Sequence, residues 1–304
     1  MIYIKLVESN EKLIENKKFI HIINKIKHNF IRIKEEKFDN KILVIINDLE
    51  QQTLNKLSQY IKRNCINRVC LSNNLLANKN FIEFIKKENV KIFDGKWLFK
   101  QLTFNCVEFI CKSKKENLAY QEIAFLSNDI NDILVENIRD IATKVRILNV
   151  ITEDERKFRK LEKELYEEKG IILNMNNNYR KSLAKSDIIF NFDFSEEEIN
   201  KYTLPKKACI INFNNTVKIN LKSFEGINAD FFEITMPRKY LKNSIYLNDF
   251  DNSVLYESYI YKNTTSKNIK KEREKDGVNI NFLNGKSGKI RKNEYLNLSK
   301  KIAN

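Results

Sequence analysis

The stretch Ala124–Asp154, "AFLSNDINDILVENIRDIATKVRILNVITED", decides the fold. Its two ends are apolar runs of strand length, and the segment between them has helical periodicity. Ile130, Leu134, Ile138, Ile141 and Val145 fall on one face at spacings of three and four. Asp132, Glu136, Arg139, Asp140 and Lys144 lie around the rest of the cylinder. The flanking strands are nearly continuous in apolar residues, as a sheet covered on both faces requires. The stretch therefore reads as strand, helix, strand, with the two strands parallel.

The same alternation continues outward in both directions. Upstream, "KILVIIND" and "NRVCLSNN" are strands separated by the helical "LEQQTLNKLSQYIKRN", then a short helix "KNFIEFIKKEN" and a strand "VKIFDGKW". The segment starting at "LFKQL" turns helical before "QEIAFLSN". Downstream, the charged helix "EDERKFRKLEKELYEEKG" ends at Gly170, a residue suited to a helix C-terminus. "IILNMNNN" is a strand, "YRKSLAKS" a short helix, and "DIIFNFDF" a strand. Ser195 and Glu198 then form a capping-box pattern. "KKACIINFN" and "ADFFEITMP" close the series, and "VNINFLNGKSGKIRKNEY" reads as a β-hairpin. Strands alternating with helices predict an α/β fold with two Rossmann-like parallel-sheet units and a C-terminal extension containing the hairpin. The expected boundaries are 1–120 for an N-terminal α/β domain, 121–240 for the Rossmann-like domain, and 241–304 for an extension packing back on the N-terminal domain. Residues 44–74 and 125–154 echo each other in plan, each with a strand, an Asn-Asp step, a helix and a second strand.

Residues 121–235 resemble the Rossmann domain of the shikimate dehydrogenase and glutamyl-tRNA reductase type. The matching parts are "IAFLSND", "INDILVENIRDIATKV", "RILNVITEDERKFRKLEKELYEEKG" and "SLAKSDIIFNFD". The resemblance implies an NAD(P)-binding domain beside a separate α/β domain, with the end of the chain returning to the latter. The chemistry-bearing residues depart from that pattern. A dinucleotide pyrophosphate rests on backbone N–H groups at a helix start, and glycines let the backbone approach it. Here the turn holds Ser127, Asn128, Asp129, Ile130, Asn131 and Asp132. Side chains would fill the approach, and carboxylates would repel phosphate. Asp129 and Asp132 are expected to supply negative charge at the helix start themselves. After the second strand come Thr152, Glu153 and Asp154 in place of an Arg for a ribose phosphate. No stretch of the first domain matches the Lys and Asp motifs of the family's substrate domain, and the chain has 6 Gly in all.

Polar residues recur at the carboxyl ends of the predicted strands, where open α/β sheets bind their ligands. Ser127, Asn128, Asp129, Thr152, Asn174, Asn191, Asp193 and Asn212 are the candidates to line such a crevice. Helix capping and loop composition are the alternative account of the same residues. No catalytic residue, metal ligand or cofactor is assigned. "NGKSGK" lacks the spacing of a phosphate loop and is read as a hairpin turn. Five Cys form no metal or disulfide framework and are expected as buried reduced thiols, while His21 and His28 fall on a predicted helix.

The formal net charge is +15, which admits nucleic acid as a partner. Lysine is spread along the whole chain, however, and Lys, Ile and Asn all use AT-rich codons. Nucleic acid is therefore ranked below a protein partner or a second copy of the chain. No long apolar run or leader pattern appears, so no membrane association and a cytoplasmic location are expected. The leading expectation for function is a non-catalytic binding or regulatory module that has lost conventional NAD(P) binding. The alternatives are an NAD(P)-dependent oxidoreductase with an atypical cofactor turn and a nucleic-acid-associated basic protein.

Overall fold

The structure is a computed structural model and describes residues 2–6, 33–38, 41–214, 217–220, 224–241, 248–263 and 269–299. The predicted helix carrying His21 and His28 lies outside these residues. The chain divides into two compact units, each assembled from two stretches. The first is Met1–Gly95 with Met236–Gly277, and the second is Lys96–Thr235 with Val278–Asn304.

In the first unit, β1 (Ile2–Leu6), β2 (Ile33–Phe38), β3 (Lys41–Ile46), β4 (Arg68–Leu71) and β5 (Lys91–Phe93) form one sheet. Its order is β2-β3-β1-β4-β5. All pairings are parallel except that of the edge strand β2 with β3. Strand alternation sends Ile4, Val44, Ile46, Val69 and Leu71 to one face. There they meet Leu57 and Ile61 of the helix Gln51–Arg63 and Phe81 and Ile85 of the helix Lys79–Lys87. Tyr3 points to the opposite face and is fully buried; its hydroxyl lies 3.3 Å from Ser258 Oγ on the helix Asn252–Asn263.

The second unit holds β6 (Glu122–Leu126), β7 (Ile147–Ile151), β8 (Asn174–Met175), β9 (Ile188–Asn191), β10 (Cys209–Asn212), β11 (Ile227–Ile234), β12 (Ile280–Gly285) and β13 (Gly288–Lys289). The order is β8-β7-β6-β9-β10-β11-β12-β13. The first six strands are parallel, and β12 and β13 add antiparallel. Counted from β6, the six parallel strands run 3-2-1-4-5-6, the order of the Rossmann fold. Every residue of β6, β9 and β10 is buried, so the central strands are covered on both faces as their apolar runs demand. One face packs Ala124, Leu126, Ile151, Ile189 and Ile210 together. On the other, Phe99 stacks on Phe232 with centroids 4.4 Å apart and meets Phe213 edge-on at 5.0 Å.

Several local expectations change. The helix after β6 spans Asp132–Ala142, so Ile130 precedes it and stays partly exposed. The helix expected at "YRKSLAKS" is a series of turns. Asn178 Oδ1 accepts the N–H groups of Arg180 and Lys181, which offers the backbone an alternative to a helical start. The strand expected at "IILNMNNN" shrinks to Asn174–Met175. The capping box at Ser195 is present, with Glu198 N donating to Ser195 Oγ and Ser195 N to Glu198 Oε2. Gly170 ends the charged helix at φ +64°, and the hairpin β12–β13 forms. Cys70, Cys106, Cys111 and Cys209 are buried free thiols, whereas Cys65 is exposed. Burial pushes the Cys70 and Cys209 thiols up to about 12, far from the thiolate form. Among the described residues no helix is long and apolar enough to cross a membrane.

Candidate functional site

The strand order of the second unit reverses between β6 and β9. Leu126 at the end of β6 pairs with Asn191 at the end of β9. Two backbone bonds extend the sheet one residue further, from Ser127 N to Ile151 O and from Phe192 N to Leu126 O, both 3.0 Å. The chain then leaves the sheet on both sides of a switch point, where open α/β sheets form their ligand crevice.

The turn after β6 meets the turn after β9 there. Asp193 Oδ1 accepts Asn128 N at 2.8 Å, Asp193 Oδ2 accepts Asp129 N at 3.1 Å, and Ser127 Oγ lies 2.6 Å from Asp193 Oδ2. Two successive backbone N–H groups and a hydroxyl converging on one carboxylate make an anion-binding nest. The anion in it belongs to the protein. No residue from 127 to 132 has positive φ, so this turn makes its nest without the glycine geometry of a dinucleotide loop.

Asn128 braces the turn from the outside. Its Nδ2 donates to Glu198 Oε1 at 3.1 Å and its Oδ1 accepts Glu153 N at 2.9 Å. Lys157 Nζ donates to Asn128 O at 2.8 Å and pairs with Asp129 Oδ1 at 2.9 Å. The Ser195 backbone and Asn128 amide hold the Glu198 carboxyl below its ordinary range. The helix start is capped by Asn131, whose Oδ1 accepts Leu134 N at 3.0 Å, and Asp132 lies in the first turn. Asp129 is thus not part of the cap, contrary to expectation. It projects into solvent against Lys157, which also raises the Lys157 ammonium above its ordinary value.

Of the eight candidates, Ser127, Asn128, Asp129 and Asp193 come together in this nest. Thr152, fully buried at the end of β7, accepts Asp154 N through Oγ1 at 3.2 Å. The neighbouring Asp154 carboxylate is gripped by Arg156 and held below its usual range. Asn191 and Asn212 lie one step inside the sheet, in a ladder of amides. Asn191 Nδ2 donates to Asn212 Oδ1 at 3.1 Å, and Asn212 Nδ2 to Asn228 Oδ1 at 2.7 Å. Asn191 also closes its own loop, accepting Phe194 N at 2.9 Å and donating to Phe194 O at 3.0 Å. Asn174 sits on the edge strand β8 and donates to Asn149 Oδ1.

Lys157 and Asn228 are not among the residues expected from the sequence, Asn131 is there only as a member of the turn, and Glu198 only as half of the capping box. The one hydroxyl in the nest, Ser127 Oγ, is engaged with Asp193 Oδ2 and with the Asp129 carbonyl at 2.8 Å, and among the described residues no group of three or more His, Cys, Asp and Glu could hold a metal ion. The charged groups at the nest are mixed in sign, with Asp129, Asp193 and Glu198 against Lys157.

No known family model matches this chain, and no curated protein sequence matches it. Several solved structures show a low similarity to it. The dipicolinate synthase of Bacillus halodurans is 10% identical with a TM-score of 0.43, covering 86% of this chain and 96% of its own. The dipicolinate synthase of Bacillus subtilis is 11% identical with a TM-score of 0.40, over 76% and 87%. L-tryptophan dehydrogenase from Nostoc punctiforme is 10% identical with a TM-score of 0.35, over 73% of this chain and 66% of its own. The architecture is Rossmann-like, and its strand order and pairing carry that statement.

Proposed function

We propose that the second unit is a Rossmann-like binding or regulatory module that has given up conventional NAD(P) binding. The observation that supports this reading is Asp193, which fills the nest at the switch point with a carboxylate of the chain itself. A pyrophosphate would have to displace three hydrogen bonds to an ionised group and then sit beside the expelled charge. Isothermal calorimetry of the full chain with NAD⁺, NADH, NADP⁺ and NADPH tests the reading. No saturable heat is expected up to about 1 mM ligand, and a Kd in the micromolar range would overturn the proposal.

A second reading is an NAD(P)-dependent oxidoreductase with an atypical turn. It draws on the 3-2-1-4-5-6 order and on Glu153, exposed at the end of β7, where an acid binds the ribose of NAD. Cofactor absorbance retained through purification would favour it.

A further inference from the structure

The hairpin β12–β13 closes the sheet of the second unit on the side away from β8. Residues 278–304 hold six Lys and Arg and a single acid, Glu294. AT-rich codons raise lysine everywhere, yet they do not drive 18 acids into residues 116–200 and leave one here. Glu294 is itself occupied, accepting the Arg291 N–H at 2.7 Å. Lys286, Lys289, Arg291 and Lys292 are exposed, and among the described residues none of them has an ion pair.

Strand alternation sorts these side chains. Ile290 is buried, and its N–H continues the ladder to Leu283 O at 3.0 Å. Lys289 beside it in β13 therefore faces outward, and Arg291 follows as the exposed cap residue of the helix Lys292–Leu298. On the neighbouring strands Leu283 and Phe232 pair and are fully buried, which leaves Phe282 and Phe231 half-buried on the outer face. Lys289 Nζ lies 4.0 Å from the centroid of the Phe282 ring, which places both on that face. Glu233 shares the face and is engaged within the fold. Sheet-borne phenyl rings interleaved with unpaired cations form a platform on which bases stack while the cations meet phosphates.

We infer that this face binds single-stranded nucleic acid. The backbone lies along Lys286, Lys289, Arg291 and Lys292, and a base stacks on Phe282 in place of the Lys289 ammonium. A duplex hides its base faces and cannot use the rings. Lysines that only protect an edge strand from pairing need no ring beside them.

The test is fluorescence anisotropy of the full chain with a labelled single-stranded oligonucleotide of about 20 nucleotides, longer than the ~4–16 of a typical site. Saturable binding at low salt is expected, weaker for a duplex of the same sequence. Lys289→Gln with Arg291→Gln should lower the log–log salt slope by about 1.4, at ~0.7 per phosphate contact. Phe282→Leu keeps an apolar side chain and should lose about tenfold in affinity, and Phe282→Trp should recover it. Circular dichroism melts confirm that each variant folds. No binding at low salt, equal binding to duplex or to phosphatidylserine vesicles, or a Phe282→Leu variant that binds like the parent would each overturn the inference. None of these outcomes bears on the dinucleotide calorimetry, so the two proposals stand or fall separately.

Discussion

Two turns begin with the same Asn-Asp step at the end of a parallel strand and solve the same problem differently. After β3, Asp48 serves its own turn, accepting Glu50 N at 3.0 Å and bonding Thr53 Oγ1 at the start of the following helix. After β6, Asp129 turns outward to Lys157, and Asp193 enters the nest from the turn after β9, more than sixty residues away. Both turns need an acceptor for backbone N–H groups, and both take a carboxylate. The first takes it from within five residues, so its turn is a local structure. The second takes it across the sheet, so it ties two loops together at the place where relatives of the fold hold a phosphate. A carboxylate in a turn thus says little about function until its donors are known.

The comparison breaks most readily at Asp193. Asp193→Ala leaves two N–H groups and a hydroxyl without an ionised acceptor and should cost about 2–4 kcal/mol in urea unfolding. Inorganic phosphate should restore part of that stability by occupying the vacated nest. A variant as stable as the parent, or one indifferent to phosphate, would show that Asp193 does not fill an anion site. Asp48→Ala should cost less, about 1 kcal/mol, with no response to phosphate. If phosphate rescued both, the distinction between local and remote anions would fail. The smallest effect concerns Glu198. Its carboxyl is depressed in the fold, so its contribution is complete above the ordinary carboxylate pKa and is lost as pH falls through the lowered value. Glu198→Gln should flatten the acid limb of the melting temperature against pH, and an unchanged limb would remove Glu198 from the brace.

Much of the architecture was legible because it rests on short-range patterns. The spacing of Leu134, Ile138 and Ile141 reports a helix face, and Ser195 with Glu198 reports a helix start. The helix expected at residues 179–186 failed because Asn178 competes for the N–H groups. The candidate site was half legible. Ser127, Asn128, Asp129 and Asp193 were named, but Asp129 was given the role that Asp193 holds. The Asn191–Asn212–Asn228 ladder was invisible, since nothing local says that β9, β10 and β11 lie side by side. Nothing in the charge of +15 singles out Lys289, which the sheet sets over the Phe282 ring.

By itself the sequence determined the α/β class, the βαβ unit at its centre and the absence of glycine from the turn after β6. Hydrophobic periodicity and turn chemistry act between residues a few positions apart, and their effects can be read along a line. Only the tertiary structure decided which carboxylate fills the nest and which lysines stand beside an aromatic ring. Those facts depend on strand order and register, which bring Asp193 to Asn128 and Lys289 to Phe282. Hydrogen bonds and charges act across a few ångströms of space, whatever the distance along the chain.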